Sequence, residues 1–206
     1  MQVERVEPSR HKKGRILVFL DDGACLKITE QELLDFGLRP GDELDEDTLR
    51  RLKEAAGVSN TRAAAADLIG KRAMSRRDLE RKLQEKGANE AEARYAAEWL
   101  EAIGALNDAE YAAALARHYS GRGYGPARVR EKLYEKGIPR ELWEDALEQI
   151  PENDGQIDAF LTGKLRGREP DEKEKRRLTN ALLRRGYPWG DIKAAWTRLG
   201  EETEEE

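Results

Sequence analysis

The 206 residues predict a mainly α protein of tandem three-helix repeats in an elongated array, led by a small N-terminal α/β module. Three observations predict it. The first is a skeleton that occurs three times: an apolar residue, a second four positions on, and a glycine four further. The copies are Leu79, Leu83, Gly87; Val129, Leu133, Gly137; and Leu178, Leu182, Gly186. A four-residue step puts side chains on one helical face, and a glycine just past them suits the left-handed residue that ends a helix. The second is the capping and stopping residues that flank each copy, which mark a helix before it and one after it. The third is composition, 38% hydrophobic and 38% charged, which is lean for one large core. Units that bury a face only against their neighbours need less.

Taken in order, residues 1–14 are polar, end in His11-Lys12-Lys13-Gly14 and are expected to be a mobile basic lead-in. RILVFL and ACLKIT, separated by Asp21-Asp22-Gly23, read as a β-hairpin in which Gly23 supplies the positive backbone angle. Thr29 and Glu32 have capping-box spacing before a short helix that Gly37 closes. Asp45 caps a second helix to about Ala56, which completes a module over residues 1–58. The first repeat, 59–104, is expected to hold helices starting at Asn60 or Thr61, at Ser75 and at Asn89, the last closed by Gly104. In the second, 105–151, Asn107 with Glu110 opens one helix, Pro126 takes a first helical position and Pro139 begins the third. The third, 152–200, is looser, with helices over Ile157–Leu161, Asp171–Gly186 and Pro188–Leu199. Residues 201–206, EETEEE, read as a solvated acidic tail that accounts for the whole net charge of −5.

Catalytic chemistry finds no residues to carry it. His11, His118 and Cys25 sit in unrelated elements and form neither a metal-ligand spacing nor a Cys/His pair. Gly121-Arg122-Gly123-Tyr124-Gly125 follows a helix and not a strand, and Thr162-Gly163-Lys164 lacks the remaining residues of a phosphate loop, so both read as connections. Asn107, Asp108 and Glu110 are explained as a helix cap. No catalytic residue, metal or cofactor is therefore expected. The longest early apolar run, Ile16–Leu20, is too short for a membrane span, and a single cysteine makes no internal disulfide, so a cytoplasmic protein is expected. Trp99, Trp143 and Trp196 fall on the last helix of each repeat as core wedges, whereas Trp189, straight after Pro188, has no evident place.

Basic residues collect at one junction, between the first and second helix of each repeat. Lys71, Arg72, Arg76, Arg77, Arg81 and Lys82 lie there in the first. Arg117, Arg122, Arg128, Arg130 and Lys132, with Tyr124 among them, lie there in the second, and Lys173, Lys175, Arg176 and Arg177 in the third. A charge run alone is an ordinary solvated face, but recurrence at one place suggests a ridge for phosphates or acidic groups. A helix-turn-helix reading fares worse. The last helices of the first two repeats carry Glu90, Glu92, Glu98 and Glu101, then Glu141, Glu144, Asp145 and Glu148, and duplex phosphates would repel them.

SRRDLERKLQEKG, LNDAEYA, GPARVREKLYEKGI and the earlier FGLRPGDELDEDTL, in that order and spacing, resemble the RecX family, bacterial modulators of the RecA recombinase. The third repeat departs most, with RRGYPW where a closer copy would have KGI. The resemblance implies a non-enzymatic protein of three-helix repeats in a curved array, with an N-terminal extension only some members carry. It implies binding to RecA, especially its filament on single-stranded DNA, with inhibition of ATP hydrolysis and strand exchange. A monomer is expected, with weak direct contact to single-stranded DNA as a further possibility. The alternative is a general single-stranded nucleic-acid-binding or scaffold protein.

Overall fold

The structure, a computed structural model, describes the backbone of residues 1–150 and 153–204 and the side chains of 1–150 and 155–200. The chain divides into two compact units, Met1–Leu106 and Asn107–Glu206. It is mainly α, with one three-stranded antiparallel sheet near its start.

In the first unit, β1 (Val3–Pro8), β2 (Arg15–Leu20) and β3 (Cys25–Thr29) pair in sequence order. The hairpin of β2 and β3 is the expected one, and Gly23 has φ +82° in its turn. Part of the expected mobile lead-in is instead a strand: Val3–Pro8 form β1. Its register against β2 shifts between Val3 and Arg5, so Val3 pairs with Leu20 and Val6 with Val18. That bulge brings two valines three residues apart to one face, which a period-two reading passes over.

Helices α1 (Glu30–Asp35), α2 (Glu46–Lys71), α3 (Arg76–Glu85) and α4 (Glu90–Ala102) complete the unit. The Thr29–Glu32 and Asn89–Glu92 capping boxes form, and Ser75 caps α3. The expected break between Ala56 and Asn60 does not occur. α2 runs straight through it, burying Leu52 and Ala56 in the core under the sheet and Ala65 in the next core, among Leu79, Leu83, Ala93, Ala96 and Leu100. The residues read as a stop and a cap do other work. A Cβ at Gly57 would lie 2.1 Å from the Glu92 carboxylate, and the Asn60 amide donates to the Lys27 carbonyl at 2.7 Å. Arg15 donates to the Ser59 hydroxyl and carbonyl at 2.8 and 2.7 Å, so β2 and β3 are tied to the side of α2.

The second unit holds α5 (Asp108–Ser120), α6 (Pro126–Glu135), a 3-10 turn Arg140–Leu142 leading into α7 (Trp143–Glu148), α8 (Asn153–Leu165), α9 (Glu172–Arg184) and α10 (Trp189–Glu204). One core gathers Ala112, Ala116, Val129, Leu133, Ile138 and Ala146; another gathers Ile157, Leu161, Leu165, Leu178, Leu182, Tyr187 and Ile192. The expected boundary at 151/152 and the side chains of the expected acidic tail lie outside the described residues.

The repeated skeleton ends α3, α6 and α9 in one way. Gly87, Gly137 and Gly186 have φ of +96°, +72° and +89°. The following amides, of Ala88, Ile138 and Tyr187, reach back to the carbonyls of Leu83, Leu133 and Leu182 at 3.1, 3.0 and 3.3 Å. This is a Schellman closure, and it folds the next residue onto the core. Tyr187 thereby takes the place of Ile138, which resolves the departure at RRGYPW. Its hydroxyl donates to the Gln156 Oε1 at 2.8 Å, and the Gln156 Nε2 donates to the Ser120 Oγ at 2.8 Å.

Burial raises the pKa of Tyr187 above its ordinary value of 10.0, opposed by Arg185. The folded form therefore holds the phenolic proton more tightly than the unfolded chain. The stabilisation is fully present below pH 10 and is lost as pH rises through the folded value. Alkaline titration of the intact protein, followed by circular dichroism, should show stability falling above about pH 10, with the slope reduced in Tyr187→Phe.

Candidate functional site

Because α3, α6 and α9 close alike, positions can be matched by counting back from their glycines. Ten residues before stand Arg77, Ala127 and Arg176; five before, Lys82, Lys132 and Ala181. Eleven before stand Arg76, Pro126 and Lys175. Many of the cations thus fall on the same helices, without matching residue for residue. Arg77 and Arg176 coincide, and so do Lys82 and Lys132.

Most of these cations are engaged within the chain. In the first unit Lys71 pairs with Asp67 at 2.8 Å, Arg72 lies 3.9 Å from Asp78, and Arg81 pairs with Asp78 and Glu85. Arg76 is the most constrained, meeting Glu80 at 2.9 Å, Glu101 at 2.8 Å and Glu98 at 3.5 Å. Its hydrogen bond to Glu80 raises its pKa, with burial working against it and the other two carboxylates adding to it. In the second unit Arg128 pairs with Glu131, Arg130 with Glu144 at 3.1 Å and Lys132 with Glu135 at 2.6 Å. Arg117 donates to the Gln149 amide oxygen at 2.9 Å. Tyr124 packs against the core around Leu133, its ring 6.1 Å from that of Tyr119. Arg177 lies 3.4 Å from Glu174.

Arg77, Lys82, Arg122, Lys173 and Arg176 form no ion pair among the described residues. All but the half-buried Lys82 are exposed. These retain their full charge toward a partner, whereas Arg76 and Arg130 clamp the second helix of a repeat to its third. The glutamates that argued against a helix-turn-helix role, Glu98, Glu101 and Glu144, are the other halves of those clamps. A run of arginines in sequence does not show which carboxylates fold opposite it. The spacing i to i+3 or i+4 could have flagged only the local pairs, such as Arg81 with Asp78 and Glu85.

Trp99, Trp143 and Trp196 are half-buried against their cores, as wedges should be. The Trp143 indole donates to the Ile138 carbonyl at 3.1 Å and that of Trp196 to the Thr179 hydroxyl at 2.9 Å. Among the described residues no group of three or more His, Cys, Asp or Glu side chains is placed to hold a metal ion. No described helix is long and apolar enough to cross a membrane.

Residues 107–147 match the family model for the second three-helix domain of RecX, and residues 161–196 that for the third. The Regulatory protein RecX of Pseudomonas putida strain F1 is 34% identical over 129 residues, which cover 62% of this chain and 83% of that one. The chain belongs to the RecX family. The RecX of Clostridium acetobutylicum, 26% identical over 198 residues, aligns across 92% of both chains. A crystal structure of regulatory protein RecX superposes with a TM-score of 0.72 over 95% of this chain and 98% of its own, at 23% identity. RecX from Lactobacillus salivarius gives 0.65 over 71% and 98%, at 22% identity. At these identities the two structures establish the fold.

Proposed function

We propose that this RecX protein is a non-enzymatic regulator that binds the RecA recombinase and its filament on single-stranded DNA, inhibiting ATP hydrolysis and strand exchange. Membership of a family named for regulation supports the reading. So does the one observation that carries it here: Arg77 and Arg176 stand at the same position of equivalent helices, exposed and without an ion pair among the described residues. A filament offers its surface at regular intervals, and cations repeated on matched helices can meet it more than once. Linked weak contacts then sum to useful affinity. The protein acts as a monomer in the cytoplasm, with Arg77, Arg122, Lys173 and Arg176 as its principal contacts.

The test is RecA's DNA-dependent ATP hydrolysis, measured against increasing amounts of this protein. Arg77→Glu with Arg176→Glu should shift the inhibition curve at least tenfold to higher protein, since each reversed contact costs about 1 kcal/mol or more. Circular dichroism should be unchanged, because neither side chain holds a partner among the described residues. An unaltered inhibition curve would remove the ridge from the mechanism, and no inhibition by the parent protein would remove the reading itself.

A further inference from the structure

The third repeat lacks the carboxylates that neutralise the first. Counted from the closing glycine, Lys175 is the counterpart of Arg76. The three partners of Arg76, namely Glu80, Glu98 and Glu101, have as counterparts Thr179, Thr197 and Gly200, none of them charged. Glu144, which clamps Arg130 in the second repeat, has Lys193 as its counterpart. Every acid that ties the second helix to the third elsewhere is thus replaced here by a neutral residue or a cation.

What remains is a groove of about 940 Å³ between α9 and α10. Among the described residues, Lys173, Lys175, Arg176 and Lys193 line it against one acid, Glu172, together with two indoles. Trp196 forms part of the wall, fixed by its bond to Thr179, with the Lys175 ammonium 5.7 Å from its ring. Trp189 is 61% exposed at the start of α10, an unusual cost for the largest apolar side chain unless something covers it. A second hollow of about 330 Å³ shares Glu172, Lys175 and Trp196 with the first and continues past Arg168, Glu169 and Pro170, so the track is elongated, with the cations concentrated in its larger part.

We propose that this groove of the third repeat binds single-stranded nucleic acid directly, with a base stacked on Trp189 and backbone phosphates along Lys173, Lys175, Arg176 and Lys193. Cations alone would suit any acidic partner. The flat, exposed indole beside them is what selects a strand, because every unpaired base offers a π face at the spacing of its phosphates, and such grooves combine the two features. A duplex hides those faces. Sequence preference is weak, since stacking and phosphate contact read no base edge. The site includes Trp189 and Lys193, which lie outside the cationic ridge, and it does not depend on RecA.

The full-length protein is titrated with a fluorescein-labelled oligothymidylate of about fifteen nucleotides, without RecA, at several salt concentrations. Binding should quench tryptophan emission. Trp189→Ala should weaken it about tenfold, the range of one stacked base, with Trp189→Phe recovering part of the loss. Thr197→Glu restores the acid found in the first repeat and should weaken binding and flatten the salt dependence, while Thr197→Gln should leave both near the parent values. Equal affinity for parent, Trp189→Ala and Thr197→Glu would overturn the proposal. So would a glutamate-rich peptide that binds with the same Trp189 dependence while the oligonucleotide does not. Neither result touches filament regulation, which the ATP-hydrolysis assay reads independently.

Discussion

Gly186→Ala should destabilise the second unit by about 2–5 kcal/mol, the sum of two costs that Gly87 and Gly125 show separately. At Gly87 an added Cβ would meet nothing within 4 Å, but φ is +96°, so Gly87→Ala carries only the left-handed penalty of about 1–2 kcal/mol. At Gly125 φ is −77°, which any residue adopts, but the Cβ would lie 2.5 Å from the Gly186 carbonyl and the Tyr187 nitrogen. Those are backbone atoms that cannot rotate away, so Gly125→Ala carries an overpacking cost of about 1–3 kcal/mol without backbone strain. Gly186 has both faults: φ is +89°, and its Cβ would stand 2.4 Å from the Arg128 nitrogen. Urea denaturation of the three variants checks the order, with Gly186→Ala the lowest. Equal losses at Gly87 and Gly186 would show that the helix ends separate freely.

The contact behind this prediction explains a missing cap. Ser75 and Asp171 cap α3 and α9 with their side chains, whereas Gly125 at the start of α6 has no side chain to offer. The end of α9 takes over that task. The Gly125 amide donates to the Arg185 carbonyl at 2.8 Å and the Ala127 amide to the Gly186 carbonyl at 3.1 Å. Unpaired amides at a helix start thus meet unpaired carbonyls at a helix end, and the two dipoles attract.

Much of the helical layout is legible in sequence because each stop and start is written locally. Gly87, Gly137 and Gly186 end helices through their own backbone freedom, and Asn89 and Asp45 cap through atoms three residues away. What sequence hides is whatever a distant segment decides. Gly57 and Asn60 look like a break, but Glu92 and Lys27 turn them into packing and tethering points. Val3 and Val6 look unpatterned until the bulge aligns them. The same limit governs the cationic site. Arg76 and Arg77 are adjacent and read alike, yet one is held by three carboxylates, two of them from another helix, and the other faces solvent. Trp189 resisted placement because its setting is a groove whose far wall lies on α9.

Leu133→Ala should cost the second unit about 2–5 kcal/mol, because Leu133 is fully buried among Val129, Ile138 and Ala146 and its neighbours can only partly fill the space. Leu34→Ala, at a side chain 73% exposed, should change stability by no more than about 0.5 kcal/mol. The wider consequence concerns where the loss is felt. The Arg185 and Gly186 carbonyls are bonded to amides at the start of α6, and Gln156 links Ser120 of α5 to Tyr187. Hydrogen exchange in Leu133→Ala should therefore quicken in α9 as well as in α6, since cooperative units open together. Exchange confined to α5–α7 would show that the two cores of this unit open separately. Arg122 and Arg176, exposed beside one core and the other, would then be coupled less firmly, and a grip on a repeating polymer by both at once would be weaker for it.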